Sequence, residues 1–453
     1  MNTGSDDIRE QKLRSFVERL TGGRITSMQR QQRWRPAWFV EVEHRGGVLK
    51  LLLRGDRGGD VMPFPDLRRE ANILTVLEQH GIPVPHVHGY CEDPATIVMT
   101  TMPGTRDLSQ AASDGERRSV ARQYMVAVAA MHRVPIEPFV ANGIRRPDGP
   151  AEIALAALEA YLPLYQRTKQ RPDALIAFGE AWLRRNVPRH RDQAHFVQVD
   201  AGQFLFHAGR VTALYDFETS LIGDPMIDLS TMRMRDSYEP LGDNILSLFR
   251  YYEEISGQPL DLSAIRYQTV VFALSSTMQF AGALAAPQPA DPHEVYLEFD
   301  LALRRVLVLA LAECLGVQLV QPAPVAPRSG PGPQAALVSM VAQAAMRIEP
   351  ANEVAAASRD SVAKLVEFLA VTEERGPELN RLAMGEAAAI LGRSYGDHTL
   401  MEADLERFVT TSGPDLDETL LRYFAAQVER RVEVFGGTAV GRSASHVVLP
   451  PIA

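Results

Sequence analysis

Beyond Gly104 the sequence is a succession of amphipathic helical segments, and one β interruption breaks it. Residues 195–199, 203–207 and 211–215 are short apolar runs separated by Ala201-Gly202 and by Ala208-Gly209-Arg210. Such runs between tight turns suit strands and are too short for helices. A small β-hairpin set inside a helical region is compatible with few architectures. It also concentrates polar chemistry at one rim. Asp200 ends the first strand, Gln203 starts the second and Asp216 ends the third.

The chain ahead of Gly104 has a different texture. Residues 38–43 alternate in polarity, Arg45-Gly46-Gly47 forms a turn, and 48–54 read as a second strand, so the two make a hairpin. Pro65-Asp66 then opens a helix that runs to His80, with Leu67, Ala71, Leu74 and Leu77 on one face and Gly81 after it. Short strands follow at 87–90 and 96–100, and Met102-Pro103-Gly104 breaks the chain. Helices are predicted over 117–133, 151–166, 174–185, 227–234, 244–255, 263–285 and 295–315. Residues 321–334, QPAPVAPRSGPGPQ, hold five prolines and two glycines, which excludes a helix or a sheet ladder. The expected organisation is therefore a β-rich lobe at 1–103, a helical lobe with the hairpin at 104–320, an extended linker at 321–334 and a helical domain at 335–453. Within that domain helices are predicted over 335–347, 358–374, 377–391, 401–410 and 416–434, with Pro377 at a first helical position.

Charge and composition narrow the function classes. Lys+Arg total 47 and Asp+Glu 56, a net charge of −9, which argues against a nucleic-acid partner. Hydrophobic residues at 46% exclude a mostly disordered chain. Cys91 and Cys314 match no disulfide framework or zinc spacing, and so few cysteines suit a reducing compartment. Residues 1–14 lack an apolar signal core, and a run such as 306–312 is far short of the ~20 residues that span a bilayer. The expectation is a cytoplasmic protein with no membrane partner. GxxxxGK[ST], HExxH and GxSxG are absent.

A β-rich lobe, a break and a helical lobe with an inserted hairpin make a two-lobed, kinase-like layout. Phosphoryl transfer needs what the rim supplies: a carboxylate for the acceptor hydroxyl and oxygen ligands for magnesium. Residues 196–230 resemble the catalytic hairpin of the aminoglycoside phosphotransferase/choline kinase-like superfamily. That pattern is His-Gly-Asp, an Asn shortly after, a hairpin, Ile-Asp-Trp/Phe-Glu, then Gly-Asp-Pro and Asp-Leu. Here it reads Gln198-Val199-Asp200, Gln203, Tyr215-Asp216-Phe217-Glu218, Gly223-Asp224-Pro225 and Asp228-Leu229. Glu239-Pro240-Leu241-Gly242-Asp243 and Tyr251-Tyr252-Glu253 are similar to the kinase-like domain fused to some acyl-CoA dehydrogenases.

The resemblance implies an α+β, two-lobed protein kinase-like fold, followed by the all-helical C-terminal domain. It implies ATP or GTP and Mg2+ as cofactors, and a small-molecule hydroxyl as acceptor. Asp200 matches the catalytic aspartate and Asp216 the metal-binding one, with Gln203 beside it. Glu70 matches the helix glutamate that pairs with a basic strand residue. Lys50 and Arg54 share a strand face and both qualify, with Arg54 preferred because it ends the strand. Met99 and Thr101 fall at the hinge against which adenine binds. Among the family's acceptors are aminoglycosides, choline, homoserine-like metabolites and hydroxyacyl thioesters, and the acyl-CoA dehydrogenase likeness leans toward the last.

Several positions depart from the pattern. Gln198 replaces the histidine, Gln203 the asparagine, and the loop between Asp200 and Gln203 is shorter. Arg33-Trp34-Arg35-Pro36 stands where the nucleotide-covering loop usually has glycines, so Arg33 or Arg35 would have to supply charge-assisted contacts instead. The departures keep an alternative open, a catalytically weak or inactive pseudokinase-like binding or scaffold protein. Asp224 is expected to brace the catalytic loop, and Asp228 to cap or pair within its helix. The C-terminal helices are candidates for homodimer or partner-protein contacts.

Overall fold

The computed structural model describes residues 3–31, 35–58, 61–288, 291–326, 332, 334–350 and 353–452. The chain forms two compact units, each assembled from segments distant in sequence. One comprises Met1–Ala156, His190–Leu262 and Ile452–Ala453, the other Ala157–Arg189 and Ser263–Pro451.

The first unit begins with a helix, α1 (Thr3–Thr21), which sequence periodicity does not announce. Five antiparallel strands follow: β1 (Arg24–Arg30), β2 (Ala37–His44), β3 (Gly47–Gly55), β4 (Val87–Glu92) and β5 (Ala95–Thr100), in the order β1-β2-β3-β5-β4. The β2–β3 hairpin turns on Arg45 and Gly46, both at positive φ, with His44 opposite Gly47. Such a left-handed two-residue turn matches the twist of the strands. Strand alternation then decides which residues reach the cleft. Leu51 and Leu53 are buried with Leu13 and Val17 of α1, and with Trp38, Val40 and Val42 of β2. Their neighbours Lys50, Leu52 and Arg54 project from the other face. Helix α2 (Leu67–Gln79) is capped by Asp66, whose side chain accepts from Arg68 N, and it buries Ala71, Leu74 and Leu77 along with Glu70.

Farther along are α3 (Asp114–His132) and the β interruption: β6 (His195–Val197), β7 (Phe204–His207), β8 (Arg210–Leu214) and β9 (Leu221–Gly223). β7 pairs with β8, while β6 pairs with β9, a strand too short to show in the sequence. Helix Met226–Asp236 follows and is almost wholly buried.

The second unit is helical. Ala174–Arg185, His293–Leu315 and most of Leu262–Ala285 share it with Ala335–Met346, Glu353–Leu391, His398–Thr411 and Asp417–Phe435. The helices after 334 are therefore joined to 157–189 and 263–315, and do not form a compact unit by themselves. Phe178 stacks on Phe424 at 5.4 Å, Arg305 Nε donates to Glu429 at 2.9 Å, and Glu402 accepts from Ala174 N at 2.8 Å. In the Pro-rich stretch the described residues 321–326 have no regular structure, yet Val325 is 2% exposed and its N–H donates to Glu433 at 3.2 Å. Glu353–Leu391 is one continuous helix with Pro377 inside it, where the sequence predicts two helices with Pro377 at a start. A mid-helix proline removes a hydrogen bond and crowds the preceding turn. Packing of Leu379, Ala383 and Ala387, all buried, offsets that cost. Among the described residues no helix is long and apolar enough to cross a membrane.

Candidate active site

The loop after β6 carries Asp200, and its backbone is held in an unusual conformation. Val199 has φ 71°, a left-handed value that a β-branched residue adopts only under constraint. The constraint is Asp228, in the first turn of the 226–236 helix. Its carboxylate accepts from Gln198 N at 3.0 Å and from Val199 N at 2.8 Å, and His132 Nε2 lies 2.9 Å away. His132 Nδ1 is in turn 2.7 Å from the Tyr252 hydroxyl. The Asp228, His132 and Tyr252 side chains are all buried, as are Gln198 and Val199. The bracing expected of Asp224 thus falls to Asp228. Asp224 instead takes a two-pronged contact from Arg191, at 2.7 and 3.1 Å, and caps Met226 N at 3.0 Å.

Asp200 is gripped on both oxygens. Arg235 Nη2 donates to Oδ1 at 2.5 Å and Gln203 Nε2 to Oδ2 at 2.9 Å. Burial and the nearby Asp216 charge push its carboxyl up, and Arg235 opposes them. Gln203 has committed its amino end to Asp200, so its oxygen faces elsewhere. Gln198, in the place of the family histidine, donates to Tyr215 O at 2.6 Å and is fully buried.

Asp216 lies two residues past β8 at φ 67°, a conformation aspartate tolerates. Arg54 Nη2 donates to its Oδ1 at 2.5 Å, and Arg54 Nε donates to Glu70 Oε2 at 3.0 Å. One guanidinium therefore links β3, α2 and the strand-end aspartate. Burial works against the Asp216 anion, but Arg54, Arg35 and Arg57 outweigh it and hold the carboxyl down to about 2. Glu218 is the second acidic centre of this cluster. It is paired with Arg35, with Arg57 at 2.7 Å and with Arg54 at 3.5 Å. Arg35 is 7% exposed, and burial together with Arg54 lowers its pKa to about 10. Arg33, its counterpart in the sequence reading, lies outside the described residues.

Lys50 is not part of that cluster. It pairs with Glu41 at 3.5 Å and lines, with Phe39 and Thr101, a cavity of about 350 Å³. Thr101 N donates to Lys50 O at 3.0 Å, which fixes the strand exit beside the cavity, while Met99 is buried within β5. The structure thus brings Arg54, Glu70 and Asp216 together, sets Asp200 with Gln203, and leaves Lys50 and Thr101 at the cavity.

A family model described as phosphotransferase enzyme family matches residues 30–258, half of the chain. The chain belongs to the phosphotransferase enzyme family. A Ralstonia eutropha protein assigned as an aminoglycoside phosphotransferase shares the fold, with a TM-score of 0.53 and 17% identity over 68% of this chain and 99% of that one. A macrolide 2'-phosphotransferase of Brachybacterium faecium superposes at a TM-score of 0.44 with 22% identity, over 61% of this chain and 93% of that one. Acyl-CoA dehydrogenase family member 11 of Pongo abelii is 25% identical over 226 residues, covering 47% of this chain and 28% of that protein. The human protein is 25% identical over 197 residues, covering 41% and 25%. The chain thus spans about a quarter of the length of these curated relatives.

Within this site, three features escape sequence reasoning. Arg57 sits in a loop with no periodicity. Arg235 lies far along the chain, on a helix whose face cannot be told from its composition. Glu218 is visible in the Asp216-Phe217-Glu218 motif, but its arginine partners come from residues 35–57. Among the described residues no group of three or more His, Cys, Asp or Glu side chains could hold a metal ion. A magnesium site of the kinase type does not need one, because phosphate oxygens and water complete its shell.

Proposed function

We propose that this phosphotransferase family member uses ATP or GTP, with magnesium, to phosphorylate a hydroxyl of a small molecule. The observation that carries the reading is Arg54, which donates to Glu70 and Asp216 at once. A planar fork does this where a lysine ammonium would offer a point charge. The nucleotide phosphates would meet Arg54 and Arg35. Lys50 lies four residues back along β3, roughly 13 Å away at strand rise. That spacing suits a nucleoside triphosphate with its base in the cavity beside Phe39 and Thr101, with the buried Met99 opposite Leu52 behind the strand exit.

The donor set fits magnesium. Asp216 offers a carboxylate kept ionised by its arginines, and Gln203 an amide oxygen, both hard ligands. When bound, the ion would neutralise charge on the phosphate oxygens. Asp200 would orient the acceptor hydroxyl and take its proton. Catalysis would rest on positioning and charge neutralisation. A hydroxyacyl compound is the acceptor this reading favours, on the likeness to acyl-CoA dehydrogenase family proteins. A cytoplasmic setting, supported by two free cysteines, belongs to the same reading, as does docking of a second copy or a partner protein through the C-terminal helices.

A catalytically weak or inactive binding module is the second reading. It is favoured by the guanidinium groups that occupy both Asp200 and Asp216. Thermal shift with ATP or GTP, with and without magnesium, separates the two, because a ligand that binds the native state raises its stability. An upshift that needs both components supports the enzyme, and none supports the binding module. Asp216→Asn should remove most of the magnesium dependence. Asp200→Asn should keep nucleotide binding and lower transfer about 10²–10⁴-fold. Near-wild-type transfer in that variant would refute the role given to Asp200.

A further inference from the structure

We propose that Arg235 is a positioning residue for phosphoryl transfer, holding the Asp200 carboxylate in the orientation the acceptor hydroxyl requires. The proposal rests on the phosphotransferase reading above and concerns a residue outside the hairpin motif.

Arg235 stands in the last turn of the Met226–Asp236 helix and is 8% exposed. Each of its nitrogens is committed. Nη2 donates to Asp200 Oδ1 at 2.5 Å, Nε to Ala201 O at 3.1 Å and Nη1 to Glu239 Oε2 at 2.8 Å. Glu239 also pairs with Arg106 at 2.7 Å, so the carboxylate behind the arginine is itself held. A planar guanidinium fixed at three points cannot rotate without breaking at least one bond. Asp200 has Gln203 on its other oxygen, so the carboxylate plane is defined from both sides.

The loop is built around this side chain. A Cβ at Gly202 would fall 2.6 Å from Arg235 Cδ, and Gly202 has φ 92°. Both features make glycine the residue that fits there. The flanking amides are tied down as well: Ala201 N donates to Thr231 Oγ1 at 3.2 Å and Gly202 N to the Tyr124 hydroxyl at 2.6 Å. The short Asp200–Gln203 loop thus wraps the arginine stem. What a longer loop would have to achieve through its own backbone, this chain achieves through a side chain from the following helix. Arg235 reaches only Asp200 among the proposed catalytic, metal and phosphate residues, so its loss should disturb transfer and spare nucleotide binding.

The test compares wild type, Arg235→Gln and Arg235→Lys in the full chain. ATP·Mg affinity is measured by calorimetry, and phosphate release from saturating ATP·Mg is followed with water as the acceptor. Arg235→Gln should bind ATP·Mg within about twofold of wild type while turnover falls about 10²-fold, the scale of a misplaced reacting group. Arg235→Lys, which restores charge without the fork, should recover part of that loss. Wild-type turnover in Arg235→Gln overturns the proposal. So does a parallel loss of affinity and turnover, which marks a merely structural arginine. If Arg235→Gln does not fold by circular dichroism, Arg235→Lys decides: reduced turnover at unchanged affinity supports the assignment and unchanged turnover overturns it. A wild-type protein that neither binds nor hydrolyses ATP·Mg removes the phosphotransferase reading itself, and this role with it. Hydrolysis by wild type that is indifferent to Arg235 removes this role alone.

Discussion

Arg54 and Lys50 stand on one face of β3, and geometry separates them. Arg54 is 16% exposed in its side chain and bonded to two carboxylates, while Lys50 is 66% exposed and paired with Glu41. Charged hydrogen bonds are worth about 1.5–3 kcal/mol when partly buried and much less at the surface. Arg54→Ala should therefore weaken nucleotide binding by roughly ten- to a hundredfold, and Lys50→Ala by far less, as read by calorimetry. The reverse ranking would move the phosphate contact to Lys50. Loss of the Arg54 cation should also let the Asp216 carboxyl rise from about 2, since Arg54 leads the charges that hold it there against burial.

At the scale of elements, the loop after β6 depends on a helix that starts almost thirty residues later. Asp228 pins Gln198 N and Val199 N, and thereby the strained Val199. An asparagine presents one acceptor oxygen where the carboxylate presents two, and leaves a buried donor unmatched. Asp228→Asn should cost about 1–3 kcal/mol in urea unfolding. It should also lower any phosphoryl transfer. A fully stable variant would show that the loop is held by other contacts.

A second element-scale case lies in the helical unit. Burial, then the Asp173 charge, raise the Glu402 carboxyl to about 7, against the Ala174 N–H and Arg304. Glu406, paired with Lys169, adds to the rise. A carboxyl whose folded pKa exceeds its unfolded value of about 4.3 stabilises the fold below that value. The contribution is lost as pH rises through about 7. Glu402→Gln should therefore raise the melting temperature at pH 8 relative to wild type and leave it nearly unchanged at pH 4. Equal effects at both pH values would rule out the titration.

Over the whole molecule, the units do not follow the Pro/Gly stretch. Leu420, Leu421 and Phe424 of the 417–435 helix are buried, and Phe178 stacks on Phe424. Arg185 pairs with Asp417 at 2.5 Å. A chain ended at residue 320 would expose the apolar faces of Ala174–Arg185 and His293–Leu315 to water, at about 25 cal/mol per Å². We expect residues 1–320 expressed alone to aggregate on gel filtration or to bind a hydrophobic dye. A monodisperse 1–320 with cooperative melting would restore 321–334 as the domain boundary.

The sequence by itself determined several of the elements and the motif. Strand alternation in 37–55, the apolar face of α2 and the tight turns of the hairpin are local signals, and all three appear in the structure. Asp200, Gln203 and Asp216 stand out in the sequence because they border short strand-like runs, and in the structure they fall in the loops next to β6, β7 and β8. Tertiary structure alone decided their partners. Arg35, Arg57 and Glu218 meet across more than 150 residues of chain, and Arg235 reaches Asp200 from a separate helix. It decided as well that Pro377 lies inside a helix and that the helices after 334 share a core with 174–185 and 293–315. Local propensity acts over a few residues, whereas charge pairing and apolar burial depend on which surfaces meet, and that is set only when the chain is packed.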